Sequence, residues 1–140
     1  MSVLIIAAIT SLMLPSYAHC EPLTYSQAKK VMFTDVFYDH RETLYCGACF
    51  DDHREVQLPD GFVASSHKKR ANKAETEHIV PVENIGRTFE VWREGHPLCV
   101  HKDGQPYKGR RCAELVNPEF QKMESDLHNL YPAIGCIIRR

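Results

Sequence analysis

Six cysteines constrain this chain more than any other feature of its sequence. They stand at positions 20, 46, 49, 99, 112 and 136 of a chain of 140 residues. An apolar leader precedes them, and cysteines of exported chains form disulfides in oxidising compartments. Six cysteines allow about 15 pairings, so spacing alone does not fix the connectivity. The two most local pairs would be Cys46–Cys49 and Cys99–Cys112.

The leader is an apolar run over residues 3–14, followed at residues 16–18 by a small-x-small cleavage pattern. The run is shorter than the ~20 residues that a transmembrane helix needs, so we interpret residues 1–18 as a signal peptide. No Lys or Arg precedes the run, and a buried N-terminal helix is the alternative interpretation. Residues 19–140 would then form one domain, close to the smallest size that supports a hydrophobic core.

The overall charge excludes a globally basic nucleic-acid binder, because the net charge is −1 with the histidines neutral. Any contact with a polyanion would have to come from local basic clusters. Two such clusters flank the segment around His78, and they consist of residues 67–70 with Lys73 and of Lys102, Lys108, Arg110 and Arg111. The alternative interpretation of each cluster is a solvated loop. Because the two clusters lie on both sides of the segment around His78, we give nucleic-acid binding and a solvated loop equal weight.

Local signals predict mixed α and β structure. Thr24 and Gln27 have the spacing of a capping box, and apolar residues follow at helical intervals, so we predict a helix over residues 25–38. The segment 76–82 is rich in β-branched residues and predicts a strand, in which Pro81 marks the end or an edge position. Residues 95–111 hold many Gly, Pro and charged residues, which predict a long loop.

A second helix is predicted to begin at Asn117-Pro118, since Asn is a favoured N-cap and Pro a favoured first helical residue. Its apolar residues recur on one face and comprise Phe120, Met123, Leu127 and Leu130. At about 100° per residue, Asn129 lies roughly opposite that face, and Tyr131-Pro132 would end the helix. One face of this helix would therefore pack, and the other would present an amide.

The segment Cys46-Gly47-Ala48-Cys49 with nearby His53 admits a zinc interpretation. Zinc would need a second well-spaced pair of Cys or His, and no second CxxC occurs in the sequence. A disulfide staple in an oxidising compartment is the better interpretation of this segment. A zinc-binding module stays an alternative hypothesis for the chain.

Glu77, His78 and Asn129 together permit metal-assisted attack on a phosphodiester. Hydrolysis needs a base that makes hydroxide from water, a cation on the phosphoryl oxygens, and positive charge for the transition state. Histidine is the natural base at neutral pH, so we assign that role to His78. Glu77 and Asn129 offer hard oxygen ligands, which favour Mg²⁺ or a similar divalent ion. Arg110 is our choice for the remaining positive charge, with Arg111 second.

By themselves these residue types do not establish catalysis, because Glu-His pairs are common. From residue types and spacing alone, a structural histidine is the more frequent interpretation. Neighbours on a regular strand also point to opposite faces. Glu77 and His78 can therefore share a site only if the backbone bends, which nearby Pro81 would permit.

Two motifs resemble the bacterial endonuclease I family of periplasmic and secreted non-specific nucleases. They are TEHIVP at residues 76–81 and KMESDLHNLYPAIG at residues 122–135, and Tyr45-Cys46-Gly47 and the cysteines at 99 and 112 also match the family's layout. The resemblance covers about residues 20–135. It implies an α+β fold with a ββα-metal nuclease core, flanking helices and disulfide staples.

The resemblance also implies roles for individual residues. His78 would be the general base, Glu77 and Asn129 would bind Mg²⁺ or another divalent cation, and Arg110 would assist. The chain would degrade DNA, and RNA as a second substrate, through contacts with the phosphate backbone and without sequence preference. It would act as a monomer without membrane attachment, in the periplasm or outside the cell.

Family members continue after the Ile-Gly of the second motif with EVNGDR or a similar sequence, whereas this chain continues with Cys136 to Arg140. We therefore expect a C-terminally truncated member with an incomplete fold, and loss of activity through truncation is an open hypothesis. The alternative function is an exported, disulfide-rich binding protein without catalysis.

Overall fold

The computed structural model describes residues 21–138, and the predicted signal peptide and Cys20 lie outside the described residues. In chain order the elements are α1 (Tyr25–Val31), a π-helical turn (Met32–Val36), a 3-10 turn (Lys68–Arg70), β1 (Ala74–His78), α2 (Val82–Gly86), α3 (Glu90–Glu94), α4 (Arg110–Val116), α5 (Pro118–Glu124), a second 3-10 turn (Leu127–Asn129) and β2 (Leu130–Ile134). This mixture of helices and strands confirms the predicted α+β class. Within residues 21–138 no helix has the length and apolar character needed to cross a bilayer.

The first helix begins where the capping box predicts it. The backbone N–H of Gln27 donates to Thr24 Oγ1 at 3.3 Å, and the backbone N–H of Thr24 donates to Gln27 Oε1 at 2.8 Å. Two donors that a helix start leaves free are thereby satisfied. Helical structure continues through the π-helical turn to Val36, close to the predicted end. Ala28 and Met32 are fully buried and dock the helix on the core.

The two strands form an antiparallel pair, in which Ala74 lies opposite Ile134 and His78 lies opposite Leu130. The predicted strand 76–82 is wrong in its bounds, because pairing with β2 begins at Ala74 and ends at His78. Ala74, Leu130 and Ile134 are buried in one hydrophobic core with residues of α1. The sheet therefore carries His78 at the edge of that core.

β1 and β2 adjoin the two motif segments from which a ββα-metal core is predicted. His78 ends β1 and Asn129 immediately precedes β2, so the pairing brings the two motif segments together. No helix follows β2 within the described residues. The complete ββα-metal core therefore stays a prediction.

Gly135 lets the end of β2 pass close to the chain that precedes β1. A Cβ at this position would lie 2.8 Å from the carbonyl oxygen of Arg70 and 2.7 Å from a carboxylate oxygen of Glu75. Arg70 Nε and Nη2 donate to the two oxygens of that carboxylate at 2.8 and 2.7 Å. A larger residue at position 135 would have to displace this ion pair and the adjoining backbone.

The second predicted helix begins where expected. Asn117 Oδ1 accepts from the backbone N–H of Phe120 at 2.8 Å, and Pro118 is the first residue of α5. Phe120 is fully buried, and the ring centroids of Phe89 and Trp92 lie 5.9 and 5.5 Å from its own. This start confirms the N-cap and proline signals.

The predicted continuation of that helix through Leu130 is wrong. α5 ends at Glu124, and the Ser125 hydroxyl donates to a carbonyl of the last helical turn at 2.6 Å. Asp126 then begins the second 3-10 turn by accepting a backbone N–H at 3.0 Å. Ser and Asp side chains compete with a helix for its backbone groups. Asn129 consequently lies in a turn and not on a helix.

The early helix end changes two further predictions. Met123, predicted to pack, is 40% exposed. Tyr131 and Pro132, predicted to end the helix, lie inside β2, where the carbonyl of Pro132 accepts the N–H of Leu44 at 2.8 Å. Proline is tolerated in edge strands, and both strands of a two-stranded sheet are edges.

Cys99 and Cys112 form a disulfide, which is one of the two local pairings considered from the sequence. It joins the loop after α3 to the first turn of α4, which begins at Arg110 inside the predicted loop 95–111. Among the described residues Cys46, Cys49 and Cys136 are free thiols, so the disulfide staple predicted between Cys46 and Cys49 is wrong. The Cys99–Cys112 disulfide ties down the turn that carries Arg110.

Candidate active site

An open cleft of about 840 Å³ lies beside the end of β1. Its walls come from α1, β1, the start of α2, α4 and the residues after β2. Glu77, His78 and Arg110, three of the four predicted site residues, line this active-site cleft. Asn129 is not among the lining residues that the structure describes. The fold thus brings together the predicted base, one predicted metal ligand and the predicted arginine.

The imidazole of His78 is buried and held in one orientation. Its Nε2 lies 2.9 Å from the carbonyl oxygen of Glu124, and the residue is 7% exposed. A carbonyl only accepts, so Nε2 carries the proton and Nδ1 carries the lone pair in the neutral ring. The ring also stacks on Tyr25, with centroids 5.3 Å apart. These contacts fix the tautomer and the orientation that a general base requires.

The surroundings of His78 favour its neutral form. Burial lowers the pKa of His78, and the positive charge of Arg110 lowers it further, while the hydrogen bond to Glu124 acts in the opposite direction. The ring is therefore neutral at pH 7. Nδ1 has no hydrogen-bond partner within residues 21–138. A histidine in this state is suited to remove a proton from water.

The carboxyl group of Glu77 is half-buried, and burial raises its pKa. Among the described residues its carboxylate has neither an ion pair nor a hydrogen bond. A partly buried charge is costly unless a cation offsets it. The group therefore fits a hard divalent cation, which prefers carboxylate oxygens and retains several waters.

Glu77 and His78 line the same cleft although neighbours on a regular strand alternate in direction. β1 ends at His78, and two residues connect it to Pro81, which is the N-cap of α2. The chain leaves the strand at this point, before it reaches Pro81. Both side chains can therefore line one cleft at the end of the strand.

Asn129 lies at the same corner, but its amide is engaged with backbone. Oδ1 accepts from the N–H of Val80 at 2.7 Å, and Nδ2 donates to the carbonyl of Val80 at 3.1 Å. Its own carbonyl accepts the N–H of Ile79 at 3.0 Å. The amide thus clamps the chain that follows His78, and Oδ1 keeps one lone pair for another partner. The metal role of Asn129 stays a prediction.

Arg110, predicted in a loop, is the first residue of α4 and the centre of a polar cluster. Its Nε lies 2.8 Å from Glu114 Oε1 and 2.5 Å from Glu124 Oε1, and its Nη2 also pairs with Glu124. Its guanidinium carbon lies 4.8 Å from the ring centroid of Tyr25. Tyr25 therefore contacts both Arg110 and His78, and it links the cluster to the base.

The buried carboxyl group of this cluster belongs to Glu124, which is 2% exposed. Burial, with a hydrogen bond to Glu114, raises the pKa of Glu124 to about 7, against the opposing charge of Arg110. Near neutral pH the carboxyl group of Glu124 is therefore partly protonated. Because the backbone carbonyl of Glu124 holds His78, the cluster also positions the base.

Three residues of the site, Tyr25, Glu114 and Glu124, were not predicted from the sequence. Glu124 stands inside the motif at residues 122–135, and that position was the available signal. Tyr25 and Glu114 carry no local signal, since they meet the site through contacts made across the fold.

No group of three or more His, Cys, Asp or Glu side chains is placed to hold a metal ion within residues 21–138. The zinc-module hypothesis on Cys46, Cys49 and His53 therefore gains no support from the described part of the chain. A site with two protein oxygens, completed by water, is compatible with the geometry.

The two predicted basic clusters are partly neutralised by carboxylates. In the first, Arg70 pairs with Glu75 at 2.7 Å and Lys73 pairs with Glu55 at 3.1 Å. In the second, Arg110 pairs with two glutamates. These clusters offer a polyanion fewer free charges than the sequence indicates.

Curated bacterial nucleases are similar to this chain over most of its length. An extracellular deoxyribonuclease of Aeromonas hydrophila is 33% identical over 113 residues, which are 78% of this chain and 44% of that protein. A periplasmic deoxyribonuclease of the same species is 32% identical over 114 residues, 78% of this chain and 42% of the relative. Endonuclease-1 of Buchnera aphidicola subsp. Baizongia pistaciae is 29% identical over 118 residues, 81% of this chain and 42% of the relative. No protein-family model matches the chain.

These similarities place the chain among the relatives of bacterial deoxyribonucleases, a class in keeping with a histidine and a carboxylate in one open cleft. The relationship to the bacterial endonuclease I family, predicted from the motifs at residues 76–81 and 122–135, is thereby confirmed for the part of the relatives that the chain spans. That part is less than half the length of each relative, so the activity of the whole relative does not transfer with the similarity.

Proposed function

We propose that this chain provides the general base and a metal ligand of a Mg²⁺-dependent endonuclease that hydrolyses phosphodiester bonds of DNA. The observation that carries the proposal is the state of His78, a buried ring whose Nε2–H is held by the Glu124 carbonyl and whose pKa is lowered. Glu77, a carboxylate without a cation partner among the described residues, lines the same cleft. The similarity to deoxyribonucleases supports DNA as the substrate.

In the proposed reaction His78 accepts a proton at Nδ1 from a water molecule as the water oxygen attacks phosphorus. The hydrogen bond from Nε2 to the carbonyl of Glu124 stabilises the imidazolium, because the carbonyl oxygen carries partial negative charge. The bond between phosphorus and the leaving oxygen breaks, and the leaving oxygen takes a proton from a solvent water. The imidazolium then releases its proton to solvent.

Glu77 would hold the divalent ion, with the remaining lone pair of Asn129 Oδ1 as the second protein ligand. Mg²⁺ retains several waters, so two protein oxygens suffice, and other divalent ions that prefer oxygen would substitute. When bound, the ion would offset charge on the phosphoryl oxygens and stabilise the leaving alkoxide. The absence of an ion pair or a hydrogen bond at the Glu77 carboxylate within residues 21–138 supports this assignment.

Arg110 is proposed to organise the cleft wall and to contribute charge there. Its guanidinium is bound by Glu114 and Glu124, which offset its charge. It packs on Tyr25 and lowers the pKa of the imidazole. Arg111, the second candidate, is exposed and forms no ion pair within the described residues.

We propose the compartment from the same relatives, which are named extracellular and periplasmic deoxyribonucleases. The chain would act in the periplasm or outside the cell on DNA, and on RNA as a second substrate. Contacts restricted to the phosphate backbone would leave no sequence preference. We further propose that it acts as a monomer without membrane attachment.

Cleavage of supercoiled plasmid by the purified chain tests this function. We expect nicking and then digestion with Mg²⁺, none with excess EDTA, and recovery when Mg²⁺ is restored. A chain that unfolds cooperatively on heating, yet digests neither DNA nor RNA with Mg²⁺, Mn²⁺ or Ca²⁺, would overturn the proposal. That result would favour the exported, disulfide-rich binding protein without catalysis.

Two substitutions at Asn129 separate a metal ligand from a clamp. Asn129→Ala removes both hydrogen bonds to Val80, so we expect the free energy of unfolding to fall by about 1–2 kcal/mol. We also expect the Mg²⁺ concentration for half-maximal cleavage to rise by about tenfold or more. Asn129→Asp keeps an oxygen ligand but lacks the Nδ2 donor. It should lose similar stability with a nearly unchanged Mg²⁺ requirement.

Urea unfolding and Mg²⁺ titrations of the cleavage rate measure these two effects separately. Asn84→Ala is the matched control, because Asn84 is exposed on α2, and neither quantity should change. If both Asn129 variants keep the wild-type Mg²⁺ requirement, Asn129 is a clamp alone and not a ligand.

A further inference from the structure

A second cleft, of about 590 Å³, borders α1 and is named here the basic cleft. Its lining includes four cationic side chains and two aromatic rings, which are Lys29, Lys30, Arg41, Arg54, Phe33 and Phe50. None of the four cationic residues forms an ion pair within the described part of the chain. This distinguishes the basic cleft from the clusters predicted from sequence, where Arg70, Lys73 and Arg110 are paired.

Two carboxylates also line the basic cleft, and neither forms an ion pair with its four cationic residues. Asp51 Oδ1 accepts the backbone N–H of Glu55 at 2.7 Å. An oxygen of Asp52 lies 3.9 Å from Nε2 of His53. Four cations against two such carboxylates leave the basic cleft with an excess of positive charge.

The backbone presents Arg54 above an aromatic floor. Arg54 has a φ of 64°, a left-handed conformation that few residues other than glycine adopt. Its guanidinium carbon lies 5.2 Å from the ring centroid of Phe33, which meets Phe50 edge to face at 5.9 Å. A flat cation on aromatic rings, beside lysines, is the surface on which strand-binding proteins stack bases and hold phosphates.

One face of α1 connects the basic cleft to the active-site cleft. Tyr25 and Lys29 are one turn of α1 apart, and Lys29 lines both clefts. Phe33 follows one turn later, in the π-helical turn that continues α1. Lys29 Nζ lies 4.7 Å from the ring centroid of Tyr25, which itself stacks on His78. Eight residues of helix span roughly 12 Å. That length corresponds to about three to four nucleotides at ~3.4 Å rise per nucleotide.

We propose that the basic cleft binds the sugar-phosphate backbone of the substrate strand, about three to four nucleotides from the phosphate at His78. The inference rests on the proposed nuclease function and names a further contact segment of its substrate. Lys29, Lys30 and Arg41 contact phosphates, and Arg54 on Phe33 forms the platform for a base. These contacts read no base edge, which agrees with an absence of sequence preference.

Fluorescence anisotropy with a labelled single-stranded oligonucleotide of about 12 nucleotides, in EDTA, measures binding without cleavage. The double variant Lys30→Gln/Arg41→Gln removes two charges and leaves Lys29, which also lines the active-site cleft, in place. We expect about tenfold weaker binding at ~0.1 M salt. The slope of log K against log salt should fall in magnitude by about 1.4, since each contact to a single strand contributes about 0.7.

The matched control is Lys68→Gln/Lys69→Gln, which removes the same charge from exposed residues of a cluster predicted from sequence. It should weaken binding by less than about twofold. Equal weakening by both double variants would mean that net charge alone binds the strand, and it would overturn the inference. Absence of oligonucleotide binding by the wild-type chain would overturn it as well.

Cleavage assays with Mg²⁺ on the same proteins separate this inference from the nuclease proposal. If the wild-type chain cleaves DNA and the Lys30/Arg41 variant binds as tightly as it does, the basic cleft is wrong and the nuclease stands. If the wild-type chain binds the oligonucleotide through the basic cleft but cleaves no DNA, the binding inference stands and the nuclease proposal is wrong.

Discussion

Replacing His78 with alanine is expected to lower Mg²⁺-dependent cleavage of DNA by about 10³-fold, within the ~10²–10⁴-fold that a positioned general base contributes. The reason is that the imidazole is held with Nε2 as donor and Nδ1 as acceptor beside the open cleft. No other histidine of residues 21–138 lines that cleft. No second imidazole in the described part of the cleft can therefore replace the missing base.

Initial rates on a labelled duplex measure this loss, at a temperature where both proteins are folded. The variant also leaves the buried carbonyl of Glu124 without its donor, so we expect a fall of about 1–3 kcal/mol in unfolding free energy, which a urea titration measures separately. His101→Ala is the matched control, because that ring packs on Tyr107 and does not line the cleft. A folded His78→Ala protein that cleaves at the wild-type rate would contradict the assignment of the base.

Replacing Arg110 with alanine is expected to destabilise the chain by about 2–3 kcal/mol at pH 8. Glu124 is 2% exposed and depends on Arg110 as its cation. Removing one partner of a buried ion pair typically costs about 3–5 kcal/mol, because the remaining charge is left without compensation. We place the cost below that range because the side chain of Arg110 is 35% exposed, which lets solvent screen the pair.

The same substitution should cost much less at pH 5. The pKa of Glu124 is raised from 4.5 to about 7 in the folded chain, so at pH 5 the carboxyl group is protonated and needs no cation. A group with a raised folded pKa binds more protons when folded. Its stabilising contribution is therefore complete below its unfolded pKa and is lost as the pH rises through about 7.

His78 also makes the substitution Arg110→Ala less costly at pH 5 than at pH 8. Because the folded chain lowers the pKa of His78, the free energy of unfolding falls when the pH drops below the ordinary pKa of histidine. Part of this lowering of the pKa comes from Arg110. Without Arg110 the imidazole protonates more easily in the folded chain. The variant therefore loses less stability to this group at pH 5 than the wild-type chain does.

Urea unfolding at pH 5 and pH 8 measures the cost of losing Arg110. Arg111→Ala, a substitution at the exposed neighbour on the same helix, is the control and should change unfolding by less than about 0.5 kcal/mol at both pH values. If Arg110→Ala lowers the free energy of unfolding equally at pH 5 and pH 8, the charge of Glu124 does not determine the effect of the substitution.

Signals contained in a few consecutive residues predicted structure well. The capping box of Thr24 and Gln27 and the Asn117-Pro118 start both form as expected, because their hydrogen bonds join residues that are three apart. The end of the second helix was not predicted, since the apolar stripe continues past Glu124. There Ser125 and Asp126 bond to nearby backbone and stop the helix.

Features that depend on distant partners were predicted less completely. The bounds of β1 follow from its pairing with β2, which no property of the segment 76–82 reveals. Glu77 and His78 were found because they stand together in a motif. Tyr25 and the Glu124 carboxyl reach the site only through contacts across the fold, with His78 and Arg110 respectively, so their roles needed the structure.

Rescue of a His78→Gly variant by added imidazole tests most directly the claim that the ring at this position takes a proton from the attacking water. We predict that imidazole restores Mg²⁺-dependent cleavage in proportion to its concentration, and that the restored rate rises with pH as free imidazole loses its proton. Imidazole should leave the wild-type rate unchanged. A folded variant that imidazole does not reactivate, although the wild-type chain cleaves DNA with Mg²⁺, would contradict the account.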